Sequence, residues 1–532
     1  MTSTQEDLQL TLATLQPTRA TPTAGQNRLC VCISDVHFTD DTVGSQSAEE
    51  TVWPIFFDEM VTVCTKQNIN ELTLILDGDV VDIIRSAEWA MAGVYPWQRA
   101  HPEFKPCLRR IMASIIKIHC RAPDPSDPDG ACGFFYRLRE TVKFLKKQHI
   151  SVEVLTLLGN HDKEIFADPD VLKRYYKDCV GQPIEELSAA YRSWVGKMYF
   201  NDEQHFAAPD SVPWLPFYWG DAELRTFITH GHWRDRDNCL SISAADGQPG
   251  WTTKDGWRAH AWQQLNYRPF TEPCFGDTVA AGALSTFIYR CQLALEDYRI
   301  SKNDPQLDLS RIKRILAELD LYRPTSAAVS RILEETRNKA SEELRDIIES
   351  ELYKALCLWL RDDFTLESSP SGRRLGLKIA RVWLMLTGRF DKVRIQLHLV
   401  RAVLLIADML EKIQPESVYS EDGASFKNLQ AFPTFQDAFL AQGFHLHGEG
   451  HTHIPLQSEA DMDYPPDHSY NNLTYINFGT WRDQVVDKEK GGYRRRGIGR
   501  TLYVLNLQNR QPPEYRYFVR DNLNWSDNMD RL

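Results

Sequence analysis

Residues 448–455 read GEGHTHIP and place two histidines, His451 and His453, one residue apart in a loop bounded by glycines and a proline. The residues just before this loop, FHLH, alternate in the way a strand with one buried face does. Residues two apart on an extended backbone point to the same side, so both imidazoles are expected to face one shared site. A histidine pair in a loop is as often structural as it is metal-binding. Its meaning depends on the partners that the rest of the chain supplies.

Four short apolar runs upstream end in polar loops in the same way. The runs are residues 29–33, 72–76, 152–158 and 224–228. Each predicts a strand buried on both faces, because such strands are near-continuous apolar runs of this length. Helical periodicity is found between the runs, at residues 47–66, 103–120 and 134–148. Strands that alternate with helices predict an α/β sheet, which binds its ligands beyond the carboxyl ends of the strands.

The loops at these strand ends carry carboxylate, amide and imidazole side chains. They are Asp35, His37, Asp79, Asp82, Asn160, His161, Asp162 and His230, followed much later by His451 and His453. This set of donors suits Mn²⁺, Fe, Zn²⁺ or Mg²⁺ rather than a soft thiolate site. One carboxylate can bridge two such ions about 3.5–4 Å apart, the arrangement used for displacement at phosphorus. Any one of these residues is explained as a turn or cap residue, but the whole set is not.

Taken in order, SDVH, GDVVD, GNHD, THGH and GHTH resemble the five motifs of the calcineurin-like metallophosphoesterases. The resemblance covers residues 29–232 and 443–507. It implies an α/β fold of the α+β sandwich type, in which helices flank two mixed β-sheets and a dinuclear metal site lies at one edge.

Carried over motif by motif, the resemblance implies seven metal ligands. The first ion would be held by Asp35, His37, Asp79 and His453, and the second by Asp79, Asn160, His230 and His451. His232 is the alternative ligand to His230. His161 is expected near the leaving-group oxygen, as a general acid or transition-state stabiliser, and Asp162 is expected to accept a hydrogen bond from it. Asp82 is expected to support the ligands rather than to bind metal.

This site predicts a metal-dependent phosphohydrolase. Two divalent ions, of which Mn²⁺ is favoured, lower the pKa of a bridging water and offset the charge that develops on the phosphoryl oxygens. The expected reaction is therefore hydrolysis of a phosphate ester or anhydride in a small molecule or a lipid. No side chain is required to act as a covalent nucleophile.

A helical insertion interrupts the predicted catalytic domain. Four segments are expected: a mobile N-terminal tail at 1–28, the first part of the catalytic domain at 29–282, the helical insertion at 283–430, and the last motif with closing strands at 431–532. The insertion lies between the fourth and fifth motifs, so it is expected to stand over the cleft and to shape specificity.

Two alternatives follow from the same resemblance. Bacterial enzymes that hydrolyse a UDP-linked diacylglucosamine diphosphate also place a helical lid between these motifs, which makes a lipid-linked diphosphate hydrolase the first alternative. This chain has GNHD where those enzymes typically show GNRD, which counts against it. The second alternative is a non-catalytic scaffold of the same fold, and the retention of every expected ligand and of His161 counts against that.

The composition restricts the possible partners. The 532-residue chain has a formal net charge of −12, which disfavours binding to a nucleic-acid backbone. Residues 373–401 are nevertheless basic with apolar residues between the charges, which predicts either a bundle with a basic face or a peripheral contact with an anionic membrane. The eleven cysteines form no CxxC pair, and no secretory signal or membrane-spanning run is visible. These features predict a cytoplasmic protein.

Overall fold

The computed structural model describes residues 25–45, 47–48, 50–127, 130–200, 202–232, 235, 237–239, 251–252, 256–257, 268–303, 309–323, 342–369, 371–387, 443–459, 474–487 and 493–521. Most of the predicted tail, residues 1–24, and residues 388–430 of the predicted insertion lie outside this part. Among the described residues, no helix combines the length and apolar character that crossing a membrane requires.

The strands of the described residues form two larger sheets and one small hairpin. In chain order they are β1 Asn27–Ser34, β2 Glu71–Asp77, β3 Ser151–Leu157, β4 Tyr218–Asp221, β5 Thr226–Thr229, β6 Trp251–Thr252, β7 Gly256–Trp257, β8 Tyr322–Arg323, β9 Leu446–Glu449, β10 Leu456–Glu459, β11 Thr474–Asn477, β12 Gly479–Asp487, β13 Tyr493–Leu507 and β14 Glu514–Asp521. β1 begins at Asn27, two residues before the predicted strand, so the first strand takes in the end of the predicted tail.

The α-helices flank these sheets or form the insertion. They are α1 Val52–Lys66, α2 Ala87–Ala92, α3 Phe104–His119, α4 Phe134–Lys147, α5 Pro169–Arg174, α6 Ala189–Phe200, α7 Arg268–Thr271, α8 Phe275–Asp277, α9 Thr286–Lys302, α10 Ser310–Glu318, α11 Glu342–Arg361, α12 Asp363–Ser368 and α13 Ser371–Thr387. Short 3-10 turns at Lys163–Ala167, Ile184–Glu186 and Leu319–Leu321, and π-helical turns at Tyr175–Val180 and Thr278–Ser285, connect several of them.

Both larger sheets are mixed. The first has the order β3-β2-β1-β13-β12-β8, with β14 paired to β13, and the second has the order β10-β11-β9-β5-β4. β1, β2 and β3 are parallel, whereas β13 is antiparallel to β1. In the second sheet β9 is parallel to both β5 and β11. The predicted class, a mixed α/β chain with two mixed sheets flanked by helices, is confirmed.

The helices cover the first sheet with aromatic side chains. Trp53 and Phe56 on α1 follow the predicted apolar face, and both are almost completely buried. The Trp53 ring stacks on Trp481 of β12 with centroids 4.9 Å apart. Aromatic pairs of this kind contribute about 0.5–1.5 kcal/mol beyond the area that they bury. This contact joins the first helix to the last part of the chain, across the insertion.

The described part of the insertion has its own apolar core, formed mainly by α9, α10 and α11. Its helical character agrees with the periodicity of the sequence. The segment also contains one short strand, β8, which pairs in parallel with β12 of the first sheet. Helical structure begins before residue 283, at α8 and the π-helical turn Thr278–Ser285. The insertion is therefore attached to the sheet by backbone hydrogen bonds as well as by helix packing.

Candidate metal centre

The parallel strands bring the polar loops together at one edge of the molecule. Asp35 follows β1, Asp79 follows β2 and Asn160 follows β3, so the carboxyl ends of three adjacent parallel strands deliver three of the predicted ligands. His230 follows β5 and His451 follows β9, which are also parallel neighbours. The hydrogen bond from His451 N to Asp35 Oδ2, 2.9 Å long, joins the two sheets at this edge.

Five of the seven predicted ligands adopt the left-handed backbone conformation. The φ angle is 54° at Asp35, 53° at His37, 48° at Asp79, 65° at His451 and 60° at His453. Such a conformation costs a non-glycine residue about 1–3 kcal/mol and persists where the surrounding structure determines it, commonly at functional sites. The loops therefore hold these side chains in directions that an unconstrained turn would avoid.

The first group of side chains matches the predicted ligands of the first ion. One ligand atom from each of Asp35, His37, Asp79 and His453 lies within 4.8 Å of the others, and all four residues are buried. His37 Nε2 is 3.1 Å from His453 Nε2, 3.8 Å from Asp35 Oδ1 and 3.6 Å from Asp79 Oδ2. Two imidazoles and two carboxylates thus converge on one small volume.

The second group contains Asp79 again, with His230 and His451. His230 Nε2 is 3.4 Å from Asp79 Oδ2, and its Nδ1 is 2.9 Å from the carbonyl oxygen of Asp77. That carbonyl accepts the Nδ1 proton, so Nε2 faces the group. His232 is buried beside His230 but does not join the group, so the structure favours His230 over the alternative.

Asn160 is the remaining predicted ligand. Its Oδ1 atom is buried and has no hydrogen-bond partner among the described residues. A buried amide oxygen normally accepts a hydrogen bond, since leaving it without a partner costs about 1–3 kcal/mol. An amide oxygen in this state, in the loop that directly follows β3, fits a metal ligand.

Asp82 connects the first group to the predicted catalytic histidine. Its Oδ2 is 2.9 Å from His37 Nδ1, and its Oδ1 is 2.9 Å from His161 Nδ1. Arg85 donates to Oδ2 from Nη1 at 2.8 Å. A carboxylate can only accept, so both imidazoles carry their proton on Nδ1 and present Nε2 to the site. The predicted supporting role of Asp82 agrees with these contacts.

The predicted hydrogen bond from His161 to Asp162 is wrong. Asp162 Oδ1 accepts from Gly159 N at 2.8 Å, and Oδ2 accepts from Val80 N at 3.2 Å. Both oxygens therefore face backbone amides of the loops after β2 and β3. The direction of the Asp162 side chain, away from the imidazole of its neighbour, leaves Asp82 as the partner of His161 Nδ1.

The electrostatics of the site depend on close pairing of buried carboxylates and imidazoles. Burial would raise the pKa of Asp35, but His230 and His453 hold that pKa well below its ordinary value. Burial likewise opposes ionisation of Asp79, and His230 with His161 lowers its pKa well below the ordinary value. Both carboxylates are therefore charged at neutral pH and require compensating positive charge in a buried place.

Several supporting residues were not predicted from the sequence. Asp235 Oδ2 is 3.0 Å from His451 Nε2, and it follows the THGH motif by three residues. Glu449 accepts from the Tyr475 hydroxyl at 3.0 Å and lies 3.0 Å from His447 Nε2. An acidic residue shortly after a histidine motif is the available signal for Asp235. Glu449 shows no comparable pattern, because its partner Tyr475 becomes a neighbour only when β9 and β11 pair.

The segment after the last motif packs beneath the site. Thr480 Oγ1 donates to the carbonyl oxygen of Asp35 at 2.8 Å, and Trp481 N donates to the same oxygen at 3.1 Å. Asn477 Nδ2 donates to the carbonyl oxygen of Gly450 at 2.8 Å. These bonds fix the backbone of the loops that carry Asp35 and His451.

The residues present fit two divalent cations. They supply two charged carboxylates, four imidazole nitrogens and one amide oxygen without a partner, which are the donors that Mn²⁺, Fe, Zn²⁺ and Mg²⁺ accept. Comparison of the chain with models of known protein families, with curated proteins and with solved structures finds no match. The inference of function therefore depends on the motifs and the geometry of this chain.

Proposed function

We propose that this chain is a dinuclear-metal-dependent phosphohydrolase of the calcineurin-like metallophosphoesterase class, which uses water to cleave a phosphate ester or anhydride. The observation that carries the proposal is the position of Asp79, whose carboxylate belongs to two of the three buried groups that could hold a metal ion. One carboxylate shared by two sets of oxygen and nitrogen donors is the arrangement of two-ion sites for phosphoryl transfer. The order of the five motifs supports the same class and its two-sheet sandwich.

The ions, when bound, would supply a nucleophilic hydroxide near neutral pH and offset the charge on the phosphoryl oxygens. Asp35, His37, Asp79 and His453 would hold one ion, and Asp79, Asn160, His230 and His451 would hold the other. Burial of these side chains keeps bulk water from screening their charges.

His161 is assigned the proton-transfer step. Asp82 holds its Nδ1 proton, so Nε2 faces the site and lies 4.0 Å from Asp79 Oδ2. That atom, when protonated, would donate to the leaving-group oxygen. Burial would raise the pKa of Asp82, but His161 and Arg85 hold it well below its ordinary value, so the carboxylate stays an acceptor. Asp162 serves the reaction indirectly, through the two loop amides that it binds.

A metal-dependent substrate screen tests the proposal. The chain, stripped of metal with a chelator, is supplied with Mn²⁺, Fe²⁺, Zn²⁺ or Mg²⁺ and assayed on a chromogenic phosphomonoester, a phosphodiester and a nucleoside diphosphate conjugate. We expect turnover that disappears on chelation and returns with Mn²⁺. No turnover with any metal on any of these substrates would contradict the enzymatic function and favour the non-catalytic scaffold.

A lipid-linked diphosphate is the second candidate substrate, and helix α13 favours it. Leu375, Ile379 and Val382 are 67%, 50% and 50% exposed, and their spacing places them on one face. The helix carries four basic residues and no acidic one. An apolar stripe beside positive charge complements an anionic lipid surface. Residues 388–401 of the predicted basic stretch lie outside the described residues.

Vesicle flotation tests this membrane contact. We expect the chain to float with vesicles that contain phosphatidylglycerol and not with pure phosphatidylcholine vesicles. Ile379→Asp should abolish flotation, whereas Ile300→Asp, a matched change at another exposed isoleucine on α9, should not. Absence of flotation in the wild-type chain would contradict the contact and leave a water-soluble phosphate compound as the substrate.

We also propose a cytoplasmic location. No disulfide bond joins any two of the eleven cysteines in the structure, the pattern expected of a reducing compartment. Thiols alkylated before and after chemical reduction should give the same mass for the chain isolated from its native cells. A mass difference would mean that disulfides form in the cell and would contradict this location.

A further inference from the structure

The turn at residues 235 and 237–239 contacts two ligands of the second ion. Asp235 is 3% exposed, and its Oδ2 lies 3.0 Å from His451 Nε2. The same oxygen accepts a hydrogen bond from Asn238 Nδ2 at 2.7 Å, and Oδ1 accepts from Asp237 N at 2.8 Å. The Asp235 carboxylate thus contacts an imidazole, a side-chain amide and a backbone amide.

The contact with Asp235 determines which nitrogen of the His451 ring carries the proton. A carboxylate only accepts, so the proton of His451 lies on Nε2 and the lone pair lies on Nδ1. His451 therefore presents Nδ1 to the second group, whereas His230 presents Nε2. Without Asp235 the proton could occupy either nitrogen, and one of the two tautomers cannot bind metal through Nδ1.

The contact with Asn238 carries the same constraint to Asn160. Because Asn238 must donate to Asp235 through Nδ2, its Oδ1 turns the other way and accepts from Asn160 Nδ2 at 3.5 Å. The orientation of an amide follows from such a network. With its Nδ2 directed at Asn238, Asn160 directs Oδ1 into the site, where it has no hydrogen-bond partner among the described residues.

We propose that Asp235 is a positioning residue. It sets the orientation of the Asn160 amide and the protonated nitrogen of His451, and it thereby determines the affinity for the second divalent ion. The proposal rests on the dinuclear function argued above. It assigns to one carboxylate the orientation of ligands from the third and the fifth motif. Asp82 contacts a different pair of histidines, His37 and His161.

The short helix α8, which precedes the helical insertion, supports this turn. Gly276 N in α8 donates to the carbonyl oxygen of Asp237 at 2.6 Å, and a Cβ at Gly276 would clash with Asn238 Oδ1. The neighbouring Asp277 accepts a hydrogen bond of 2.9 Å from the buried ammonium group of Lys163. Lys163 lies two residues after His161 in the chain. The second-ion side of the site is therefore held from the short helix that precedes the insertion as well as from the sheet.

The test is a Mn²⁺ titration of the full-length chain, followed by elemental analysis and electron paramagnetic resonance. The wild-type chain should bind two Mn²⁺ with the signal of a coupled pair. Asp235→Asn places an amide donor where the wild-type chain has only carboxylate acceptors. We expect this variant to bind one Mn²⁺ per chain and to give the six-line signal of an isolated ion. The Kd for the second ion should rise about 10–100-fold. Asp235→Glu keeps an acceptor-only group and should recover part of the affinity.

Two further variants complete the experiment. Asp237→Asn removes the same charge from the same turn without touching His451, and should keep two ions. Asn238→Asp puts an acceptor where Asp235 requires a donor, and it should weaken binding of the second ion as Asp235→Asn does. A folded Asp235→Asn chain with both ions at wild-type affinity overturns the proposal, and if that variant does not fold, Asn238→Asp decides in the same way. A wild-type chain that binds no pair of ions would instead refute the proposed function.

Discussion

The Nε2 atoms of His37 and His453 lie 3.1 Å apart, although 416 positions separate the two residues in the chain. Asp82 holds the proton of His37 on Nδ1, so His37 directs a lone pair at His453. His453 Nε2 is also 3.0 Å from Asp35 Oδ1. Lone pairs and carboxylate oxygens this close repel one another unless a proton or a metal ion lies between them.

Metal removal should lower the thermal stability of the chain. Bound ions stabilise the native state by RT ln(1 + [L]/Kd), about 2.7 kcal/mol per site at 100 times Kd. We therefore expect a Tm several degrees lower after chelation, measured by calorimetry at pH 7.5, and recovery with added Mn²⁺. An identical Tm with and without the chelator, in a chain shown by elemental analysis to have lost its metal, would contradict the site.

Asp79→Asn should reduce the metal content from two ions to one or none. An amide has a single acceptor oxygen and no charge, so it cannot bridge two cations as the carboxylate can. Asparagine tolerates the φ of 48° at this position, which limits the effect on folding. Asp170→Asn, at a carboxylate that is 66% exposed, is the control and should keep both ions. Undiminished metal in Asp79→Asn would refute the bridge.

His161→Asn should lower kcat about 10²–10⁴-fold while both ions stay bound, because it removes the proton donor and none of the ligands. The exposed His149 is the matched control, since its φ of 61° also suits asparagine. His149→Asn should leave kcat unchanged. Loss of metal from His161→Asn would show instead that this histidine is a ligand.

His119 should make the fold less stable as the pH falls from about 6.5 to about 4. Burial lowers the pKa of His119 from 6.5 to about 4, partly offset by its hydrogen bond to the carbonyl oxygen of Thr39. The unfolded chain therefore binds a proton in this window that the folded chain does not, and stability is complete only above about pH 6.5. At pH 5 the loss is about 2 kcal/mol.

The comparison that isolates this effect uses His119→Gln and urea unfolding at pH 7.5 and pH 5. The wild-type chain should lose about 2 kcal/mol more than the variant between the two pH values. Equal losses in the two chains would mean that His119 does not titrate in this range.

The candidate ligands could be predicted because they lie in loops that directly follow predicted strands. Asp35 follows β1 and Asp79 follows β2, and the carboxyl ends of parallel strands meet at one edge. The partner of His161 was not predictable in this way. Asp162 is its neighbour in sequence and was expected to bind it, but Asp82, 79 positions away, does so. Side-chain direction depends on local φ and on packing, which a linear pattern does not contain.

The sequence by itself determined the mixed α/β class, the residue types at each strand end and the place of the helical segment between the fourth and fifth motifs. These are local properties, since hydrophobic periodicity and chain order are read within short windows. Only the tertiary structure places His37 beside His453, puts His230 rather than His232 in the group with Asp79, and brings Asp82 and Asp235 to their histidines. His37 meets His453, and His230 meets Asp79, because the two sheets meet at one edge and left-handed loop residues such as His453 direct their side chains there.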